Sequence, residues 1–137
     1  MDQQDPSLVA ETAALKAAYE ALNRNDVAGF AQIFDPQIER VEPPGTPGSL
    51  TINGIDAAVE YWPLHRGKWA EGSCEPQRYV VMGDRIVVFA HVHVRLKGET
   101  EWLTGDVVDV FTFRGGKAIQ YRTFLDERRA LDWAGAN

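Results

Sequence analysis

The chain of 137 residues has one cysteine, Cys74, which excludes an intrachain disulfide and a metal site built from cysteines alone. It also lacks a basic patch. Lysine and arginine number 14 against 20 aspartates and glutamates, and the net charge of −6 argues against nucleic acid or an anionic membrane as partner. No run of 18 apolar residues occurs, and the N-terminal MDQQDPS has no apolar leader core, so a cytoplasmic location is expected. Repeats and low-complexity segments are missing too, and the length suits a single domain over residues 1–137. What is present is an ordinary globular balance, 45% hydrophobic and 25% charged, enough to build a core.

The first third reads as helix. Asp5-Pro6 is a start signal, and Leu8, Thr12, Leu15, Tyr19 and Leu22 then recur at helical spacing. Asp26 caps a second, shorter helix carrying Val27, Phe30 and Phe34, with Pro36 as its stop. Gln37 to Glu42 alternates like a short strand, and Pro43-Pro44-Gly45 with Pro47-Gly48 predicts a rigid loop. Asn53-Gly54 opens a third helix with Ile55, Val59, Trp62, Arg66 and Trp69 on one side and a kink at Pro63. Gly72 and Pro76 close that region.

The remainder predicts four strands joined by tight turns: Gln77 to Met82, Arg85 to Leu96, Glu101 to Arg114, and Lys117 to Leu125. Strands that follow one another this closely form an antiparallel meander. Three N-terminal helices against such a sheet give an α+β fold, with the sheet curved into a cone and a pocket at its open end. One residue breaks the pattern. Val107, Asp109, Phe111 and Phe113 share a strand face, so a carboxylate sits in an apolar row, where burial is costly unless it is protonated or hydrogen-bonded.

Three stretches carry a family resemblance: LNRNDVAGFAQIFDPQIERVEPPG (Leu22 to Gly45), NGIDAAVEYW (Asn53 to Trp62) and GDVVDVFTFRGGKAIQYRTFLD (Gly105 to Asp126). In this order they resemble the ketosteroid isomerase and nuclear transport factor 2 superfamily, including its polyketide-cyclase-like (SnoaL-like) branch, over nearly the whole chain. The resemblance implies a general base at Glu42, just before Pro43, and a protonated oxyanion donor at Asp109. The second oxyanion donor, a helix tyrosine, falls by count on Ala18, with Tyr19 about 100° further round the helix. The cyclase and limonene epoxide hydrolase branches imply an aspartate where this chain has Thr123, and an arginine and aspartate where it has His91 and His93.

The candidate roles follow. Glu42 takes a proton next to a carbonyl and Asp109 steadies the enolate oxygen, each with a structural alternative: Glu42 paired with Arg40, Asp109 simply satisfied by neighbours. On Arg85 to Leu96 the even positions are all apolar, so periodicity turns His91 and His93 outward. The resemblance turns them into the pocket, with Ile86, Val88, Val92 and Val94 covered by a second copy in a homodimer, and that placement is the one expected. His91 and His93 with Asp109 are a conceivable metal set, but no metal or other cofactor is expected. Tyr19, Trp62, Trp69, Phe111, Tyr121 and Thr123 complete the expected pocket, the tryptophans as a lid on the third helix, while Arg122 and Asp126 form a structural pair. The expected function is binding of a small apolar organic ligand, with isomerase-like proton transfer if there is chemistry. The alternatives are a non-catalytic binding or assembly module, and a cyclase or dehydratase using His91 or His93.

Overall fold

The computed structural model describes residues 6–43 and 51–135. The expected cap at Asp5 and the loop from Pro44 to Gly48 lie outside the described residues. Helix α1 (Pro6–Asn23) buries Leu15, Ala18 and Tyr19, and α2 (Val27–Ala31) is a single turn. Asp26 caps α2 by accepting a hydrogen bond from the Gly29 backbone N–H at 3.0 Å. Strand β1 (Phe34–Val41) follows, then β2 (Thr51–Asn53), α3 (Ile55–Arg66), β3 (Trp69–Met82), β4 (Arg85–Leu96), β5 (Trp102–Arg114), β6 (Lys117–Phe124) and α4 (Glu127–Gly135). The fold is α+β, with a curved, unclosed sheet of six strands in the order β2-β1-β6-β5-β4-β3.

Strands β3 to β6 form the expected antiparallel meander. β1 adds to it in parallel beside β6 and pairs antiparallel with β2. Phe34 and Pro36 therefore belong to a strand and not to α2. The β1–β6 register jumps between Phe34 and Glu39, and an unpaired bulge of this kind tolerates proline because no ladder hydrogen bond is asked of it. Trp69, placed on the third helix by its spacing, begins β3 instead. Helix α3 stops at Gly67, whose N–H bonds the Pro63 carbonyl, and Trp69 pairs with Leu96. Pro63 sits inside α3 without dividing it.

Gly72 and Pro76, expected to close the third-helix region, lie within β3, which starts eight residues earlier than the alternation suggested. Gly72 has φ of +111°, and a Cβ there would stand 2.1 Å from the His93 carbonyl oxygen, so only glycine lets β3 approach β4 this closely. The β3–β4 register slips between Trp69 and Glu71 and again between Pro76 and Arg78. Such bulges bend a strand and deepen its twist, which curls β3 over the helices.

The inner sheet face packs on α1, α2 and α3 through Leu15, Tyr19, Phe30, Phe34, Ile38, Trp62, Ile86, Val88 and Phe111. Ile86, Val88, Val92 and Val94, expected to meet a second copy, are thus interior: the first two are core, the others face a cavity. The plain alternation of β4 reads correctly here. On the outer face α4, which the sequence reading missed, covers Val87, Val108 and Val110 with Ala130 and Ala134. Asp126 caps α4 by accepting from the Arg128 N–H at 2.9 Å, and Arg122 lies over the Trp133 ring, so the expected Arg122–Asp126 pair is not formed. Among the described residues no helix is long and apolar enough to cross a membrane.

Candidate functional site

The curl of the sheet leaves a cavity of about 410 Å³ between its inner face, α3 and the end of α1. Three elements are tied together around it. Asn23 at the end of α1 exchanges hydrogen bonds of 2.9 Å with the Cys74 backbone on β3. Arg66 of α3 donates to the carbonyls of Leu22 and Asn23 at 2.7 and 2.9 Å, supplying a cation and donors where a helix terminus has spare acceptors. Leu22, Trp62, Trp69, Val92, Val94, Leu96, Leu103 and Val107 make the cavity walls apolar.

One wall is polar, and alternation along β1 builds it. Ile38, Arg40 and, just past the strand, Glu42 all turn inward and are buried. Arg40 Nη1 donates to Thr123 Oγ1 at 2.8 Å and to the Val41 and Tyr121 carbonyls at 2.9 and 3.3 Å. Its guanidinium lies 3.8 Å over the Tyr121 ring, a stacked cation–π contact. Arg40 Nη2 makes no hydrogen bond among the described residues and stands 3.9 Å from Glu42 Oε2.

At the cavity floor Asp109 on β5 stands opposite Thr123 on β6. Thr123 donates to one carboxylate oxygen at 2.6 Å and Tyr19 to the other at 2.5 Å. Burial raises the pKa of Asp109, opposed by the charge of Arg40 and by the bonds from Thr123 and Tyr19. Burial and the neighbouring Asp109 likewise push Tyr19 well up, so it stays a donor.

The rim is arranged differently. The Tyr61 hydroxyl lies 3.2 and 3.3 Å from the two oxygens of Glu42 and 3.3 Å from His65 Nδ1. Tyr61 and His65 are four residues apart on α3, and their rings stack at 5.5 Å. Burial lowers the pKa of His65 below 6.5, against the pull of Glu42 and with that of Arg40 and Lys68, so the imidazole is neutral at pH 7.

Of the residues expected in the pocket, Glu42, Asp109, Trp62, Trp69, Tyr121 and Thr123 border the cavity. Tyr19 and Phe111 lie behind it, Tyr19 under Asp109 and Phe111 stacked 4.5 Å from Tyr121. Tyr19 reaches the site although counting put Ala18 there, because α1 turns the Leu15–Tyr19 stripe onto the sheet. Trp62 is no lid: it is packed against Phe30 and Phe34, and Trp69 is on a strand.

His91 and His93 are on the opposite face of the sheet. His91 Nδ1 is 2.8 Å from Asp106, and His93 Nδ1 is 2.7 Å from Thr104 with its ring stacked on Trp102. They cannot join Asp109 in a metal set or act on a cavity ligand. The sequence reading passed over Arg40, Tyr61 and His65 as parts of the site. The inward row Ile38-Arg40-Glu42 was the available signal for the first, and the i, i+4 pair on α3 for the others.

The class of fold is that of nuclear transport factor 2-like proteins. An NTF2-like protein of Burkholderia xenovorans is 25% identical, with 92% of this chain and 95% of that one covered and a TM-score of 0.70. One from Burkholderia pseudomallei is 22% identical over 92% and 98%, with a TM-score of 0.76. TerC, co-crystallised with polyporic acid, is 24% identical over 92% and 98%, with a TM-score of 0.74. Among curated proteins no sequence matches the chain. Within that class, the SnoaL-like domain matches residues 15–121, and the chain belongs to the SnoaL-like family.

Proposed function

We propose that the protein binds a small, mostly apolar organic molecule bearing a carbonyl or enol oxygen and moves a proton next to that oxygen. The observation that carries this reading is a largely apolar cavity with one polar wall, on which Arg40 Nη2 and Glu42 Oε2 stand 3.9 Å apart. A volume of about 410 Å³ suits a ligand of a few rings or a short chain. A SnoaL-like fold supports ligand binding or polyketide-cyclase-like chemistry. The ligand seen with TerC, an organic acid, is the kind of oxygen-bearing molecule an arginine receives.

In this reading Arg40 takes the ligand oxygen and stabilises the negative charge that grows there when the neighbouring carbon or hydroxyl loses its proton. Asp109 acts one step back: through Thr123 it fixes Arg40, so its carboxyl serves the oxygen site indirectly. Glu42 carries the negative charge on which proton removal depends, and it stands on the side of the cavity away from Asp109. Such a reaction is a pure proton transfer, with no electron to supply or remove.

The test is deuterium uptake from heavy water into β-tetralone and a set of cyclic β,γ-unsaturated ketones, followed by proton NMR. Uptake that rises with protein and saturates with ketone is expected, and Glu42→Gln should slow it about 10²-fold while leaving ketone binding in place. Uptake no faster than buffer across the set overturns the reaction. Binding without uptake leaves a non-catalytic binding module.

A further inference from the structure

Tyr61 has one hydroxyl hydrogen and faces two kinds of partner at nearly equal distance, the Glu42 carboxylate at 3.2 and 3.3 Å and His65 Nδ1 at 3.3 Å. It cannot donate to both. A hydrogen bond to an ionised carboxylate is roughly twice as strong as one between neutral groups, so the hydrogen goes to Glu42. The phenol oxygen then offers His65 only lone pairs. A bare Nδ1 would face them unfavourably, whereas Nδ1–H donates to them. The neutral ring therefore keeps its hydrogen on Nδ1 and leaves Nε2 as a bare acceptor, one with no partner among the described residues. His65 borders the cavity.

We infer that His65 Nε2 is the base that touches the ligand, and that Glu42, acting through Tyr61, is a positioning residue that holds the ring's tautomer and balances its charge. The inference rests on the proton-transfer reading above. Intrinsic basicity favours it, since free imidazole binds a proton about 2 pH units more tightly than a glutamate carboxylate. Glu42 is buried, and both of its oxygens face the Tyr61 hydroxyl with Arg40 beside one of them, which leaves them less free to meet a ligand.

The step balances without a co-reactant. The C–H bond next to the carbonyl breaks and its proton goes to Nε2. The electron pair becomes the enolate double bond, and the carbonyl pair moves onto the oxygen at Arg40. The imidazolium, paired through Tyr61 with Glu42, then returns the proton to the same carbon or to the far end of a conjugated system. The charged groups around the ring are Glu42, Arg40 and Lys68, together with its neighbour Arg66.

Two measurements test this. In protein carrying ¹⁵N-labelled histidine, with the His65 signals assigned by their loss in His65→Gln, Nε2 should resonate as an unprotonated nitrogen and Nδ1 as a protonated one. Tyr61→Phe and Glu42→Gln should both turn this into a mixture of tautomers. In the β-tetralone assay, His65→Gln should lower uptake about 10²-fold with ketone affinity little changed, and Tyr61→Phe about 10-fold, with the acid limb of its pH–rate profile displaced. A protonated Nε2 in the wild type overturns the inference. Wild-type uptake that survives in folded His65→Gln overturns it alone and returns the base to Glu42. Absence of wild-type uptake overturns the underlying proton-transfer reading instead.

Discussion

The floor and the rim of the cavity are both polar, and they are built to opposite standards. On the floor, Tyr19, Asp109, Thr123 and Arg40 are joined by bonds of 2.5 to 2.8 Å, all between strands and a helix in the core. At the rim, Glu42, Tyr61 and His65 stand 3.2 to 3.3 Å apart, and two of them share one turn of helix. Short bonds linked in series fix a geometry. Longer bonds around a single shared hydrogen leave room for that hydrogen and its neighbours to rearrange. The floor holds Arg40 still, and the rim is where protonation can change.

The largest effect separating them is on stability. Asp109→Leu leaves Tyr19 and Thr123 without their acceptor and removes one of the two carboxylates near Arg40, Glu42 being the other. It should cost about 3–5 kcal/mol in urea unfolding, against about 1–2 kcal/mol for Asp109→Asn. Glu42→Gln at the rim should change stability by about 1 kcal/mol or less while removing most ketone exchange. Equal stability losses at Asp109 and Glu42 would erase the distinction.

The pH dependence sharpens it further, because the two regions titrate with opposite sign. The pKa of Asp109 is raised on folding, so the folded state holds its proton more tightly than the unfolded chain. Its contribution is present below the ordinary value of 3.8 and is lost as pH rises through the raised folded value. The pKa of His65 is lowered, so its contribution is present above 6.5 and is lost as pH falls through the folded value. In unfolding experiments across pH, Asp109→Asn should remove the first slope and leave the second, and His65→Gln should do the reverse. The smallest effect lies on the far side of the sheet. His91→Gln or His93→Gln should shift stability by about 0.5 kcal/mol or less and leave ketone exchange unchanged, since His93 is exposed, His91 is half-buried and both lie outside the cavity.

Much of this arrangement could be read from the chain. The break at Asp109 in an apolar strand face marked the floor, and Glu42 ahead of Pro43 marked the rim. The alternation of β4 also put the right face inward, until the family resemblance overruled it and brought His91 and His93 into the pocket. Local pattern was the better guide there, because the even positions of β4 are uniformly apolar and a cavity wall is still an apolar wall. Trp69 failed for the opposite reason. Its spacing from Trp62 and Arg66 is helical, but Gly67 ends α3 first, and periodicity carries no sign of where a helix stops. Helix α4 was missed because ERRALDWAG is short and follows β6 after only two residues, and the side chains it buries fully are the two small alanines, with Leu131 and Trp133 only partly covered. Spacing put Arg40 in an inward row with Ile38 and Glu42 and put Tyr61 beside His65, but it does not contain the contacts across strands and between strand and helix that make them one site.

Gly72 carries a consequence for how this cavity could change. It lies between Trp69 and Cys74, both of which border the cavity, and it lets the β3 backbone come close to the His93 carbonyl of β4. The seating of these two cavity-lining residues therefore depends on a neighbour with no side chain of its own. A side chain at Gly72 would push β3 away from β4 and so shift Trp69 and Cys74 without replacing either. The main chain at Gly72 thus shapes one side of the cavity separately from the polar groups at Arg40 and His65.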